Sequence, residues 1–186
     1  MSGRLLIAGV GNIFLGDDGF GVEVASRLAT AELPAWAHVV DYGIRGMHLA
    51  YDLANGYESM ILIDAMPRGE APGTIYVVEP DLTAVPEEGT AEGDAAAVNP
   101  LFNAHGMQPD VVFGMLGMLG AGAREVLVVG CEPATVDYGI GLSEPVAAAV
   151  DEAVRVVLEL VASAAASGEG HHLVTKEWSH VPRHTG

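Results

Sequence analysis

Residues 4–29, RLLIAGVGNIFLGDDGFGVEVASRLA, form the stretch whose reading decides the fold. Arg4 to Val10 is a continuous apolar run of strand length, without the alternation of a strand that faces water on one side. Such a run suits a sheet buried on both faces. The glycines that follow permit a tight turn and a loop lying close over the sheet. Gly19 to Leu33 then reads as a helix, with Val22, Ala25, Leu28 and Ala29 at helical spacing. Strand, glycine-rich turn and helix in that order open an α/β fold.

The alternation continues. His38 to Tyr42 reads as a second strand, Met47 to Leu53 as a second helix, and Ser59 to Ile63 (SMILI) as a third buried strand ending at Asp64. Only PRGEAPG separates that strand from Thr74 to Glu79. A parallel crossover needs about a dozen residues or more, so the next strand is expected as an antiparallel neighbour and the sheet as mixed. Residues 80–100 read as a surface excursion rich in Pro, Gly, Ala and acid. Pro109 suits the first turn of a helix running to about Ala121. Arg124 to Gly130 is another buried strand. Ser143 is expected to N-cap a long helix through about Ala166, with Glu144 in its first turn. The expected architecture is a single α/β domain over residues 1–168, with residues 169–186 as a flexible tail.

Composition narrows the function classes. Eight basic residues oppose 25 acidic ones, a formal net charge of −17. Such a field repels nucleic acid and anionic lipid, both of which recruit clustered basic residues. It favours solubility, cations or a basic partner surface. No apolar block reaches the roughly 18 residues of a membrane span. The first residues lack the small-residue cleavage site of a signal peptide. A single cysteine, Cys131, excludes an internal disulfide and points to a reducing, cytoplasmic setting.

The chemistry gathers in GVGNIFLGDDGFG. Gly9-Val10-Gly11 resembles the start of a dinucleotide fingerprint, but its third glycine falls on Phe14. Asp17 and Asp18 at the helix start would repel a phosphate that a true nucleotide site attracts there. One aspartate can cap the helix while the other points into a crevice; simple capping by both is the alternative. Asp64 ends a wholly apolar strand. If strands one and three are parallel neighbours, Asp18 and Asp64 emerge at the same edge of the sheet, the usual ligand crevice of open α/β sheets. The alternative is that Asp64 binds loop amides. His105, in NAHGMQPD, precedes the third predicted helix and is either a loop histidine or a ligand. Two aspartates and an imidazole suit a divalent metal such as nickel or zinc, with positions left open for substrate or water. There is no H-E-x-x-H and no nucleophile elbow. Cys131 closes a buried strand without an evident partner, which argues against a thiol enzyme.

Taken together, GVGNIFLGDDGFG, DYGIRGMHLAYDL, LIDAMPRGEAPGTI, NAHGM, VVGCEP and GIGLSEPV resemble the maturation proteases of nickel–iron hydrogenases. The resemblance covers nearly all of residues 4–160. It implies a three-layer α/β/α sandwich of the phosphorylase/hydrolase-like kind, with a twisted, mostly parallel, mixed sheet of about five strands. It implies an endopeptidase that removes a C-terminal extension from a nickel-loaded hydrogenase large-subunit precursor. The family's metal-binding triad falls on Asp18, Asp64 and His105, read here as both metal-contacting and catalytic residues. Relatives often carry glutamate at the first position; aspartate is one methylene shorter, and Asp17 is placed to compensate. The substrate-recognition loop matches Asp41-Tyr42-Gly43-Ile44-Arg45-Gly46, in which Asp41, Gly43, Arg45 and Gly46 are the expected contacts. Arg45 is suited to a carboxylate of the partner. Nickel would arrive on the precursor, with another divalent metal able to bind in vitro.

Two other readings use the same residues. A non-enzymatic nickel-binding assembly chaperone would bind metal without shortening a precursor. A stand-alone metallopeptidase or amidase would hydrolyse small peptides unaided. His171, His172, His180 and His184 belong to the tail, whose deletion from residue 169 is expected to leave cleavage intact. Met107, Met115 and Met118 are expected to pack in a helix and the core.

Overall fold

In the computed structural model, residues 3–54, 56–80, 125–166 and 173 are described. His105, the predicted 80–100 excursion, the helix expected between Gly106 and Ala121, and nearly all of the tail lie outside the described residues. The elements run β1 (Leu5–Val10), α1 (Phe20–Leu28), β2 (Ala37–Gly43), α2 (Gly46–Ala54), β3 (Ser59–Ala65), β4 (Ile75–Val78), β5 (Glu125–Cys131) and α3 (Glu144–Ala166). The strands form one five-stranded sheet in the order β2-β1-β3-β5-β4.

The unbroken apolar strands are explained by what covers them. Leu5, Ile7, Ile61, Ile63, Leu127 and Val129 pack on one side against Phe20, Val24 and Leu28 of α1 and a stripe from Val146 to Val161 of α3. The intervening residues Leu6, Ala8, Val10, Met60, Leu62, Val126 and Val128 pack on the other side against Leu49 and Leu53 of α2. Successive side chains of a strand point to opposite faces, so a sheet sandwiched between helical layers demands apolar residues at every position. The three-layer α/β/α arrangement follows.

β1 pairs in parallel with β2 and with β3, and β3 in parallel with β5. β4 is antiparallel, as the short link after β3 requires, but its neighbour is β5, with Ile75 opposite Cys131. β5 thus lies between β3 and β4, a placement that residues so distant in sequence do not announce.

α1 begins at Phe20, after a single turn of 3-10 helix at Gly16–Gly19, and ends at Leu28. It is shorter than its apolar spacing suggests. The buried stripe is Phe20, Gly21, Val24, Ala25 and Leu28, while Ala29 is exposed. The chain tightens after Leu28: the amides of Thr30 and Ala31 bond the carbonyls of Arg27 and Leu28, and the Thr30 hydroxyl also bonds the Arg27 carbonyl. These i→i+3 bonds close the last turn. Beyond the strands, Leu173 packs against the edge of the core, its amide 2.7 Å from Glu125 Oε2.

Candidate active site at the carboxyl edge of the sheet

The chain leaves β1 for β2 on one side and returns to β3 on the other, so the strand order switches between β1 and β3. Gly9 stands opposite Ile63 in that pair. The carboxyl ends of β1, β2, β3 and β5 therefore share one edge, and in open α/β sheets the switch point at that edge is the usual place of the ligand crevice. Asp18 reaches this edge from the turn after β1, and Asp64 from the last two residues of β3.

Asp18 is half-buried. Its Oδ2 accepts a 2.6 Å hydrogen bond from the amide of Asn12, which holds the side chain back over the end of β1. Gly11 makes that fold possible: with φ +131° it lies in a backbone region open to glycine, and a Cβ there would stand 1.8 Å from the Asp18 carbonyl. Burial raises the Asp18 carboxyl above its ordinary value, opposed by the Asn12 amide. Asp64 is 2% exposed, and its Oδ1 accepts from the amide of Ala65 at 2.8 Å. Burial first, and then the neighbouring charge of Asp18, push its carboxyl well above the usual range. The two carboxylates thus feel each other across the crevice. Among the described residues neither is ion-paired, and no third histidine, cysteine or acid joins them as a metal cluster. Burial and a neighbouring acid both favour the protonated form of Asp64.

Asp17 does not join this pair. It is fully buried and faces away, into the loop between β5 and α3. Oδ2 accepts from the amides of Ala134 (2.8 Å) and Thr135 (3.1 Å) and from the Ser143 hydroxyl (2.9 Å), while Oδ1 accepts from the Ser143 amide (2.6 Å). Burial opposes its ionisation, but these four donors together hold its carboxyl below the ordinary value. The expected Ser143 cap is changed accordingly. Its hydroxyl donates to Asp17, and its carbonyl accepts the Ala147 amide to open α3.

The β2–α2 connection opens on the same edge, tied to the Asp18 loop by a 3.0 Å bond from the Gly11 amide to the Gly43 carbonyl. Arg45 folds back on this connection, donating from Nε to the Tyr42 carbonyl at 3.0 Å and from a terminal nitrogen to the Asp41 carbonyl. Its own carbonyl accepts from His48 and Leu49, so it also begins α2, which starts at Gly46. Asp41 is exposed and Gly43 has φ +51°. The loop is therefore braced by Arg45 at the mouth of the crevice.

Glu132 is a buried acid whose role the sequence reading missed. It directly follows β5, as Asp64 lies at the end of β3, and the same reasoning about strand ends would have singled it out. Its carboxylate accepts from the amides of Arg68 (2.8 Å) and Gly69 (3.1 Å) and from the Tyr76 hydroxyl (2.7 Å). Burial resists its charge, yet these donors, Tyr76 foremost, hold its carboxyl below the ordinary value. It fastens the connection that leads away from Asp64.

Large apolar side chains crowd the rim. Ile13 and Phe14 stand out of the β1 loop, Ile44 and Met47 out of the β2 loop and the start of α2, and Val136, Tyr138 and Ile140 out of the β5 loop. Tyr138 is 91% exposed and Ile140 81%. No helix among the described residues is long and apolar enough to cross a membrane. These exposed apolar side chains stand on three of the loops that leave the carboxyl edge of the sheet.

A family model described as hydrogenase maturation protease matches residues 22–160. The hydrogenase expression/formation protein HoxM of Azotobacter vinelandii is 32% identical over 177 residues, which span 91% of this chain and 80% of HoxM. A hydrogenase 2 maturation peptidase from a Thaumarchaeota archaeon superposes with a TM-score of 0.63 at 30% identity, covering 86% of this chain and 98% of that one. The hydrogenase maturating endopeptidase HybD of Escherichia coli superposes with a TM-score of 0.65 at 28% identity, covering 89% and 94%.

Proposed function

Because this chain belongs to the hydrogenase maturation protease family, we propose that it removes a C-terminal extension from a nickel–iron hydrogenase large-subunit precursor after nickel has been installed. The observation that carries the reading is the pair Asp18 and Asp64, set at the switch point of the sheet with the charge of Asp18 bearing on buried Asp64. Nickel enters as part of the substrate. Oxygen donors held close together, one of them in low dielectric, suit a divalent ion that neutralises both. His105, preceding the predicted helix, supplies the third donor in this reading. Another divalent metal is expected to occupy the same donors in vitro.

In the resting protein the aspartate pair shares a proton. When the loaded precursor docks, Asp64 releases that proton to solvent and both carboxylates face the substrate's metal. A carboxylate of the pair then holds the attacking water and takes its proton as the water adds to the scissile carbonyl. The same group returns a proton to the departing amine. The substrate's nickel polarises the carbonyl. Two close carboxylates sharing a proton are also the device of aspartic peptidases, and the raised proton affinity of Asp64 favours this part of the chemistry. Arg45 and the loop from Asp41 to Gly46 contact the precursor beside the crevice. The step takes place in the cytoplasm, the reducing setting to which a single cysteine, buried at Cys131, points.

The apolar rim supports a folded protein substrate over small peptides. Replacing Tyr138 and Ile140 together with alanine is expected to raise KM for the precursor roughly tenfold, with kcat within twofold. Both side chains are exposed, so the melting temperature should not move. Steady-state cleavage assays at several precursor concentrations check this; an unchanged KM removes the rim from recognition. Short peptides spanning the cleavage point should be left intact under the same conditions, whereas a stand-alone peptidase would cut them. Binding of nickel with no shortening of any precursor would mark a chaperone.

A further inference from the structure

Adjacent residues in the turn before α1 serve different partners. Asp18 faces Asp64 and the Asn12 amide, while Asp17 is buried on the other side among donors from the β5–α3 loop. A carboxylate offers about four lone-pair sites. The Asp17 carboxylate takes four donors, Ala134 N, Thr135 N and Ser143 Oγ on Oδ2 and Ser143 N on Oδ1, and its side chain is fully buried, out of reach of substrate. Asp17 therefore cannot act directly in cleavage.

The rest of the turn is lashed to the same loop. The Gly16 amide bonds the Gly139 carbonyl at 2.9 Å, the Asp17 amide bonds the Thr135 carbonyl at 3.1 Å, and the Gly139 amide bonds the Phe14 carbonyl at 3.0 Å. At its start, this loop carries Glu132, which grips the connection following Asp64. One loop thus holds both carboxylate-bearing segments. The two are not equally rigid. Asp64 lies in a central strand paired on both sides, whereas Asp18 stands on a single turn of 3-10 helix. The separation of the pair depends on where that turn is held.

We propose that Asp17 is a positioning residue for cleavage: by seating the four donors of the β5–α3 loop on its carboxylate, it sets where Asp18 stands relative to Asp64. The proposal rests on the reading of Asp18 and Asp64 as the cleavage pair. All four partners are donors, so the site requires a group that only accepts. Asparagine has the same size but turns an NH2 toward at least one of these donors. The turn shifts, and a shift of about 1 Å in a reacting group costs roughly 100-fold in rate. The recognition loop from Asp41 to Gly46 lies outside this contact. Val136, Tyr138 and Ile140 stand on the β5–α3 loop itself, but the backbone bonds at Gly16, Asp17 and Gly139 hold that loop independently of the Asp17 side chain, so the effect on substrate binding is expected to be small beside that on rate.

The test uses the full chain and nickel-loaded precursor, with the wild type, Asp17→Asn, Ser143→Ala and the double variant. Asp17→Asn is expected to lower kcat roughly 100-fold with KM within twofold, while circular dichroism shows it folded at the assay temperature. Ser143→Ala removes one of the four donors and is expected to lower kcat roughly threefold, again at constant KM. In the double variant the serine change adds nothing, because its effect runs through Asp17. A loss that falls on KM, or fully multiplicative losses, would overturn the proposal. So would an unchanged kcat in Ser143→Ala, a measurement that stands even if Asp17→Asn fails to fold. Wild-type chain that leaves the loaded precursor intact would overturn the reading of the pair itself, and the proposal with it.

Discussion

Asp64→Asn should reduce cleavage of the nickel-loaded precursor roughly a thousandfold or more, and should at the same time make the metal-free protein more stable. The loss of rate follows from placing a neutral amide where a carboxylate must exchange a proton and face a cation. Asparagine fills the same space at the end of β3 and keeps an oxygen for the Ala65 amide. The gain in stability follows from the environment of Asp64, which is 2% exposed and faces Asp18 without a counter-ion among the described residues. Removing the burden of that buried acid is expected to contribute about 1 kcal/mol, a rise of about 2–4 °C in melting temperature for a chain of this size.

The pH dependence gives the sign independently. Asp64 binds its proton more tightly folded than unfolded. Its contribution to stability is complete below the ordinary carboxylate value and is lost as pH rises through its raised folded value. The advantage of Asp64→Asn over the wild type should therefore grow as pH rises through that window. Thermal melts of both proteins in chelator, from acid to neutral pH, check this. A variant less stable than wild type throughout would mean that the Asp64 charge is compensated in the fold. Asp17 and Glu132 titrate in the opposite sense, since their donors lower them and their contributions disappear on acidification. Both are common to the two proteins, so the difference isolates the coupled pair of Asp64 and Asp18.

Gly21→Ala is expected to cost about 3 kcal/mol, lowering the melting temperature by about 6–12 °C. A Cβ at position 21 would stand 2.1 Å from the Ile63 carbonyl oxygen and 2.3 Å from the Val10 carbonyl oxygen. Both are backbone atoms at the ends of adjacent strands, so no side chain can turn aside to make room. α1 would have to lift from the sheet, loosening Phe20 and Val24 and carrying the turn of Asp18 with it. Cleavage should fall too, even below the melting temperature, because the distance from Asp18 to Asp64 is measured across this contact. Calorimetry with a parallel cleavage assay checks both effects. A melting temperature within about 2 °C of wild type would show that the helix is not held as closely as these distances require.

The fold was legible where one physical cause dominates. MILI and LLIAG are apolar at every position because helices cover both faces of the sheet, and that signal survives without any tertiary information. The antiparallel sense of β4 was legible from the length of its link to β3. Its pairing with β5 was not, because the partner comes from a strand that begins at Glu125. The end of α1 was obscured because apolar spacing continues to Leu33 after the hydrogen bonding has tightened at Thr30 and Ala31.

The site shows the same division. Asp64 was conspicuous as an acid at the end of an apolar strand, and the parallel pairing of β1 with β3 brings Asp18 to the same edge. Which of two neighbouring aspartates faces the crevice depends on the backbone rotation of one tight turn, and residue types do not encode it. Asp17 is in addition satisfied by donors about 120 residues away in sequence, including Ala134 and Ser143. Arg45 was expected to await a partner's carboxylate; in the folded chain its guanidinium also braces the loop that carries it.

The central claim is that Asp18 and Asp64 act in cutting a nickel-loaded precursor, and intact-mass measurement of that precursor tests it most directly. The precursor is incubated, nickel-loaded and nickel-free, with the wild-type chain and with Asp64→Asn. The expected result is loss of one discrete C-terminal fragment from the loaded precursor with the wild type, and an unchanged mass in the other three reactions. Shortening of the loaded precursor by Asp64→Asn at the wild-type rate, or no shortening by the wild type, would contradict it.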